Sequence, residues 1–271
     1  MTPGERRALI IRIVGAGARV SVEELAARLG TSRETVRRDL GALDREGALR
    51  KVHGGAVPIA PRRAAGFADP AALEGPFERR VTENAEAKRA IARAAVALLR
   101  PGDSVFVDTG STTLALGEAL ARAEALTVIT NSAAIARLAE RGSGARVYLI
   151  GGEYRRGGQE SVGDMAVEQI RRLRAAHAFL TVGSLDAAGA ADFDLQEAQV
   201  ARAMVERADA VTVLADATKF EARAVFPVVA LEGLARLVTD RLPEALRGAL
   251  EGAGVAPVVA PAGAGEAVEI A

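Results

Sequence analysis

Three arginines, Arg33, Arg37 and Arg38, follow Thr31-Ser32 in a segment whose residue types suit contact with DNA. Thr31 or Ser32 can cap the first turn of a short helix, which places the arginines near its start. Arginine donates two hydrogen bonds to the edge of guanine and also binds phosphate. The segment therefore predicts a helix that enters the major groove.

A preceding helix is predicted to position this basic helix. Ser21 and Glu24 have the spacing of a capping box, and Gly30 is expected just past the end of the first helix. A turn of two or three residues then leads into the basic helix, which Gly47 is expected to end. Two helices joined by so short a turn, with the second basic at its start, are typical of a helix-turn-helix.

Apolar residues recur on the basic helix at the spacing of a buried stripe. Val36, Leu40 and Leu43 are four and three residues apart, which leaves the arginines off the stripe. The competing interpretation is an ordinary solvated face, in which Asp39 and Asp44 pair with the arginines.

A β-wing is predicted over residues 48–57, where a short basic strand, a Gly-Gly turn and an apolar return follow one another. Basic side chains of the strand are expected to contact the DNA backbone, whereas His53 can equally be a plain turn residue. The residues expected to contact DNA are Ser32, Arg33, Thr35, Arg37, Arg38, Arg50, Lys51 and His53.

The charge of the chain is divided unevenly, although its total is zero. Residues 1–57 carry eleven Lys and Arg against seven acids, a net charge of +4, so the remainder carries −4. A basic head on an acidic body is expected of a nucleic-acid-binding protein with a second task. We predict a DNA-binding domain over 1–57, a Pro- and Gly-rich linker over 58–76, a second domain over 77–250 and a flexible tail over 251–271.

Composition disfavours several other classes of site. The chain has no cysteine and only two histidines, His53 and His177, so disulfides are excluded and a zinc site is not expected. No long apolar run or Walker loop is present, so no membrane span and no nucleotide hydrolysis are expected, and no cofactor is predicted. A cytoplasmic location is expected.

The second domain is predicted to be an α/β fold with a parallel sheet covered on both faces. A helix expected over 81–99 precedes a short apolar strand over 104–108, and further apolar strands alternate with helical patterns. Those further strands are predicted at 126–130, 146–150, 178–182, 211–215 and 237–239.

Polar residues follow the strands, and ligands of such folds bind at the carboxyl ends of strands. Asp108 and Gly110 lead into three hydroxyl residues, 111–113, before a helix predicted over 114–122. This turn can hold a phosphate or carboxylate, although an ordinary helix cap explains it equally well.

Later strand ends carry less specific chemistry. Asn131-Ser132 can be a helix cap, and Gly151-Gly152 allows a close backbone approach. Asp216 and Lys219 suit an anion or a sugar hydroxyl, although Lys219 can equally be a surface charge.

With these motifs in this order, the chain resembles the DeoR family of bacterial sugar-metabolism repressors over about residues 6–240. The resemblance implies a winged helix-turn-helix joined to a Rossmann-like sensor domain. That sensor would be similar in fold to ribose-5-phosphate isomerase, glucosamine-6-phosphate deaminase and the CoA transferases, and would bind a phosphorylated sugar without turning it over. The segments that carry the resemblance are Ser32–Leu40, Val52–Ala56, Asp108–Thr113, Thr130–Ser132, Gly151-Gly152 and Leu214–Phe220.

The resemblance also implies an effector site, with residues 110–113 at the phosphate and the others along the sugar. The chain departs from the family pattern at Thr181 and Ser184, where glycine is common, and at His177, where aspartate is common. These departures bear on the identity of the ligand more than on the fold. The implied effector residues are Asp108, Gly110, Ser111, Thr112, Thr113, Asn131, Gly152, Asp216 and Lys219.

The expected function is a transcriptional repressor, a dimer or tetramer whose operator binding is modulated by a phosphorylated sugar. One alternative is a sugar-phosphate isomerase, deaminase or CoA-transferase-like enzyme tethered to DNA, with Glu153 or Glu197 as base or nucleophile. A second is an oligomerisation platform without a ligand. Asp192 and Asp194 are interpreted as helix caps.

Overall fold

The computed structural model describes residues 3–15, 20–45, 49–52, 54–57, 75–260, 263 and 269–270. The chain divides into two compact units, Met1–Phe67 and Ala68–Ala271. The predicted linker lies outside the described residues except at positions 75 and 76. None of the helices among the described residues is long and apolar enough to cross a membrane.

The first unit is a winged helix-turn-helix, as predicted. Strands β2 and β3 pair antiparallel to form the wing, and β1 pairs with the other edge of β3. Gly55 allows this pairing, because a Cβ there would lie 2.2 Å from the carbonyl oxygen of Val20. The elements are α1 (Pro3–Gly15), β1 (Val20–Ser21), α2 (Val22–Leu29), α3 (Arg33–Arg45), β2 (Arg50–Val52) and β3 (Gly55–Val57).

Local capping sets the ends of α2 and the start of α3. Ser21 and Glu24 form the predicted capping box, and Gly30 ends α2 in the left-handed conformation with a φ of 59°. Of the two predicted caps for α3, Ser32 is the one used, because its hydroxyl accepts a hydrogen bond from the Thr35 N–H at 3.2 Å.

The core of the first unit is apolar and draws on all three helices. Leu40 and Leu43 of the predicted stripe are buried beside Ile10 of α1 and Leu25 of α2. Gly47, the expected stop of α3, lies outside the described residues.

The second unit is built on an eight-stranded sheet, which confirms the predicted α/β class. Its strand order is 16-15-14-12-9-4-5-6, with seven parallel strands and the short strand 16 antiparallel at one edge. Two small antiparallel sheets, formed by strands 7 and 8 and by strands 10, 11 and 13, were not predicted. The strands are β4 (Ser104–Val107), β5 (Thr127–Thr130), β6 (Arg146–Leu149), β7 (Glu153–Arg155), β8 (Glu160–Val162), β9 (Ala175–Leu180), β10 (Ser184–Asp186), β11 (Gly189–Asp192), β12 (Ala208–Leu214), β13 (Phe226–Val229), β14 (Arg236–Thr239), β15 (Ala256–Val259) and β16 (Glu269–Ile270).

Helices cover both faces of this sheet. Val105 and Val107 of β4 lie in one apolar core with the fifth, sixth and seventh helices of the chain. Phe106, between them, lies in a second apolar core with the eighth, ninth and tenth helices. Alternate residues of a buried strand therefore serve two cores. The helices are α4 (Phe77–Thr82), α5 (Ala85–Val96), α6 (Ser111–Leu120), α7 (Ala133–Ala139), α8 (Asp164–Arg171), α9 (Leu195–Arg207) and α10 (Glu244–Gly252), with 3₁₀ turns at Ala217–Phe220 and Leu231–Gly233.

Two predictions about segments are wrong. The single helix expected over 81–99 is two helices, α4 and α5, because Asn84 between them adopts a left-handed φ of 53°. The flexible tail expected over 251–271 begins too early, because α10 extends to Gly252 and β15 adds a parallel strand to β14. Val258 of β15 is buried in the core, and the local Ala, Gly and Pro composition concealed this long-range pairing.

Candidate functional site

The three predicted arginines of α3 lie on its exposed side. The guanidinium of Arg33 is 3.6 Å from the Glu23 carboxylate, and that of Arg37 is 3.9 Å from Glu34. Both pairs are more than half exposed, and exposed pairs of this kind contribute little to stability. The arginines are therefore free to exchange these partners for phosphates or base edges.

The competing interpretation, a solvated face paired with Asp39 and Asp44, is wrong in its partners, because neither aspartate pairs with these arginines. Asp39 is buried and binds Arg6 and Arg7 of α1. Asp44 accepts a hydrogen bond from the backbone N–H of Lys51 at 2.9 Å, which joins α3 to the wing. Neither aspartate neutralises the exposed arginines.

The other residues expected to contact DNA lie at the start of α3 and on the wing. The hydroxyls of Ser32 and Thr35 are 2.9 Å apart and hydrogen-bond to each other. Arg50 and Lys51 lie on β2, where the Lys51 side chain is exposed. His53 lies outside the described residues.

The predicted effector residues form a row along the carboxyl edge of the parallel sheet. In sheet order, β6, β5, β4, β9 and β12 are followed by Gly152, Asn131, Asp108, Thr181 and Asp216. Three of these side chains, Asn131, Asp108 and Asp216, are buried. Sheet topology thus brings together residues that are far apart in the chain.

Asp108 sits at the centre of this row and is held by Thr181. One carboxylate oxygen accepts the Thr181 N–H at 2.8 Å and the other accepts its hydroxyl at 3.4 Å. Burial raises the pKa of the Asp108 carboxyl well above its usual range, and the charge of nearby Asp192 raises it further. The hydrogen bond from the Thr181 N–H acts in the opposite direction and lowers this pKa.

Gly110 is required by a close approach. Its own backbone is extended, with φ 179°, while the chain bends at Thr109 and Gly110 between β4 and α6. A Cβ at Gly110 would lie 2.1 Å from the Thr181 hydroxyl oxygen.

The three hydroxyl residues predicted in a loop lie in the first turn of α6. This helix begins at Ser111, and residues 111–113 are all buried. No side chain caps α6, and the Thr113 hydroxyl donates instead to the Gly110 carbonyl at 3.2 Å. The first-turn N–H groups of such a helix can bind an anion.

Asn131 and Ser132 have separate roles. Ser132 caps α7 by accepting from the Ile135 N–H at 3.4 Å, as the cap interpretation predicted. Asn131 donates its amide to the Ser161 carbonyl at 3.1 Å, and its buried Oδ1 has no hydrogen-bond partner. A buried acceptor without a donor is costly unless a water or a ligand supplies one.

Gly152 fits the close backbone approach that the sequence suggested. Its φ is 156°, and a Cβ there would lie 2.6 Å from the Val162 carbonyl oxygen. A side chain at this position would push the β7–β8 hairpin away from the sheet edge.

Asp216 and Lys219 lie in a 3₁₀ turn beside the start of α5. Asp216 accepts the Thr218 N–H at 3.0 Å, and the Asn84 amide lies 3.5 Å away. Burial lowers the pKa of Lys88. The negative charge of Asp216 raises this pKa, and the positive charge of Lys219 lowers it further. A cleft of about 560 Å³ adjoins this cluster, lined by residues that include Thr82, Asn84, Thr218, Asp240 and Arg241.

A second charged cluster joins the β7–β8 hairpin to the start of α9. Arg155 binds Asp194 at 2.9 Å and also donates a hydrogen bond to the side-chain amide oxygen of Gln196. Glu160 is buried and hydrogen-bonds to Glu197. Burial raises the pKa of Glu160 to about 7, although Arg155 and the bond to Glu197 oppose this shift.

The remaining acidic residues divide between expected and unexpected roles. Asp194 caps α9, as predicted, by accepting from Gln196 and Glu197 N–H. Asp192 is not a helix cap: it ends β11, is buried, and accepts the N–H of Phe193. Glu153 is exposed on the hairpin. Within the described residues, no group of three or more His, Asp or Glu side chains is arranged to hold a metal ion.

Sequence reasoning missed Thr181, Glu160 and Asn84 as members of this edge. Thr181 was visible only as a departure from a glycine pattern, yet it binds Asp108. Nothing in the sequence indicated that Glu160 is buried at this edge, because an isolated glutamate in a short polar segment is normally exposed.

A small winged helix-turn-helix with an exposed basic helix and an α/β unit with a polar sheet edge define a two-domain DNA-binding regulator. Residues 6–62 match the DeoR-like helix-turn-helix domain, and residues 83–241 match the DeoR C terminal sensor domain. The chain belongs to the DeoR family, whose members are transcriptional regulators rather than enzymes.

Relatives span almost the whole chain. The HTH-type transcriptional regulator GlpR of Haloferax volcanii is 33% identical, over 95% of this chain and 98% of its own. The glycerol-3-phosphate regulon repressor of Haemophilus influenzae is 30% identical, over 89% and 91%. Ribose 5-phosphate isomerase A from Methanocaldococcus jannaschii is 15% identical over 51% and 55%, with a TM-score of 0.35, a likeness too weak to bear on ligand or activity.

Proposed function

We propose that this protein represses a carbohydrate-metabolism operon and that a phosphorylated sugar, bound in the second unit, modulates its binding to operator DNA. The observation that carries the proposal is that one chain has both features of a regulator. Its first unit contains the exposed basic helix α3, and its second unit contains a buried polar sheet edge. The name of the Haemophilus influenzae relative, a glycerol-3-phosphate regulon repressor, supports a phosphorylated effector.

On the DNA side, α3 enters the major groove and the wing contacts the backbone. Arg33, Arg37 and Arg38 supply base and phosphate contacts, while Ser32 and Thr35 lie close enough to the helix start to contact phosphate. Arg50, Lys51 and His53 complete the interface along the wing. The role requires chromosomal DNA, so the cytoplasm is the expected location.

On the effector side, the phosphate binds at the uncapped start of α6, beside Gly110 and residues 111–113. The first-turn N–H groups of α6, which no side chain caps, are the donors.

The sugar then extends along the strand ends. Asp108 contacts one hydroxyl at the centre of the row, and the unpartnered Oδ1 of Asn131 accepts from another. The backbone of Gly152 lies at one end of the row, and Asp216 with Lys219 contacts the ligand at the other.

The two units act as one switch in a dimer or tetramer. Two recognition helices bind a repeated operator, and the effector favours an arrangement that binds it less well. Thermodynamic linkage then requires the operator to weaken effector binding by the same factor by which the effector weakens operator binding.

The test is a thermal-shift screen of phosphorylated sugars, each beside its unphosphorylated sugar. A ligand at 100 times its Kd stabilises the native state by about 2.7 kcal/mol, which a melting curve detects. We expect one sugar phosphate to raise the Tm and to change the gel shift of DNA upstream of the protein's own gene. If no sugar phosphate raises the Tm, the second unit is an oligomerisation platform and the effector proposal is wrong.

A further inference from the structure

Asp39 is a buried carboxylate on the same helix as the arginines proposed to contact DNA. Its side chain is only 5% exposed, and each of its oxygens binds a different arginine of α1. Arg6 Nε lies 2.6 Å from Oδ2, and Arg7 Nε lies 3.2 Å from Oδ1. One carboxylate thus joins α3 to two consecutive residues of α1.

Stability alone does not account for this arrangement. Burying a carboxylate and parts of two arginines costs solvation, and apolar residues of similar size often stabilise a core better. Apolar packing between Ile10, Leu40 and Leu43 already holds the two helices together. That apolar packing turns the stripe of α3 inward, but non-directional contacts fix the rotation of a helix less tightly than hydrogen bonds do.

The two hydrogen bonds to Asp39 supply that direction. At 100° per residue, Arg37 and Arg33 lie about 160° and 120° around α3 from Asp39, so the carboxylate faces inward while the arginines face outward. A rotation of α3 by about 10° moves its outer surface by about 1 Å. Specific contacts need placement to within about 0.5 Å, so a small rotation is enough to lose them.

We propose that Asp39, held by Arg6 and Arg7, is a positioning residue that sets the rotation of α3 for recognition of the operator. It acts through the helix and touches no DNA. The inference rests on the proposed DNA-binding role of α3 but is independent of any effector.

The proposal predicts opposite effects on two kinds of DNA. Asp39→Asn keeps the shape of the side chain but removes its charge, so α3 loses its fixed rotation while the net charge of the first unit becomes more positive by one. Binding to a specific sequence should weaken, whereas salt-dependent binding to any duplex should stay equal or strengthen.

The experiment uses the full-length protein with a duplex selected from a random library by the wild type, and a scrambled duplex of equal length. For Asp39→Asn we expect a tenfold or greater loss of affinity for the selected duplex and no loss for the scrambled one. Glu23→Gln is the matched control, because it removes one exposed negative charge from the same unit. Because the Glu23 carboxylate is also the partner of Arg33, its loss should weaken binding to neither duplex.

Arg6→Lys keeps the net charge but gives up the Nε hydrogen bond, and it decides the question if Asp39→Asn melts below the assay temperature. We expect it to weaken only the selected duplex, while the exposed Arg28→Lys leaves both unchanged. An equal loss for both duplexes would show that Asp39 serves folding alone, and unchanged affinity for the selected duplex would show that α3 needs no such support. Either result overturns the proposal and leaves the DNA-binding role of α3 intact.

Discussion

Replacing Glu160 by glutamine should remove a pH dependence from the stability of the second unit. Glu160 is 2% exposed, and burial raises its pKa from 4.5 to about 7. Because the folded state binds this proton more tightly than the unfolded state, Glu160 favours folding below pH 4.5. That contribution is lost as the pH rises from 4.5 through 7.

The size of the effect follows from the pKa shift. At 1.36 kcal/mol per pKa unit, the change from 4.5 to about 7 corresponds to about 3 kcal/mol of unfolding free energy. Charged groups around Glu160 act in both directions, because Asp194 and Asp192 raise its pKa while Arg155 and the bond from Glu197 lower it. Glutamine imitates the protonated form at every pH.

Urea denaturation at pH 5, 6, 7 and 8 measures this difference. Tyrosine fluorescence reports on the second unit alone, because the only tyrosines are Tyr148 and Tyr154 and the chain has no tryptophan. Glu160→Gln should exceed the stability of the wild type by about 1 kcal/mol at pH 5, where an unfolded glutamate is already mostly ionised, and by about 3 kcal/mol at pH 8. The raised pKa of Asp108 is common to both proteins and cancels.

Glu153→Gln is the control, because it removes an exposed carboxylate from the same hairpin. Its stability should follow that of the wild type at every pH. A constant difference between Glu160→Gln and the wild type from pH 5 to pH 8 would refute the reasoning, because it would mean that Glu160 does not titrate in this range.

Three further substitutions test the proposed sites. Arg37→Ala should lose about 1 to 3 kcal/mol of specific operator binding in a gel shift, and a variant that still selects the operator normally would show that Arg37 reads no base. Lys51→Ala should weaken binding to all duplexes alike and should reduce the slope of log affinity against log salt concentration by about one. An unchanged slope would show that Lys51 does not contact the DNA backbone. Gly110→Ala brings a methyl group within 2.1 Å of the Thr181 hydroxyl and should cost about 1 to 3 kcal/mol in thermal unfolding. Gly248→Ala, with no heavy atom within 4 Å, should cost nothing, and equal losses at both glycines would contradict the crowding argument.

Features set by neighbouring residues could be predicted from the sequence. The Ser21–Glu24 capping box, the Gly30 cap and the buried stripe of α3 all depend on spacings of three or four residues, and all three are confirmed. The parallel sheet was predictable for the same reason, because its strands are short apolar runs between helices.

Features set by distant residues escaped prediction. Asp108 and Thr181 are 73 positions apart and meet only because β4 and β9 are neighbours in the sheet. Strand β15 is defined by its pairing with β14, and Glu160 is buried among segments that include Ser132, which pairs with it across the edge of the sheet. The spacing of residues along the sequence carries no information about contacts between such distant segments.

The central claim is that operator binding and effector binding are linked. The most direct test measures the Kd of the sugar phosphate that raises the Tm, with and without saturating operator duplex, and the Kd of the operator with and without that sugar phosphate. The account predicts that both constants change by the same factor, fivefold or more, which corresponds to about 1 kcal/mol of coupling or more. Equal effector affinity in the presence and absence of operator would contradict it.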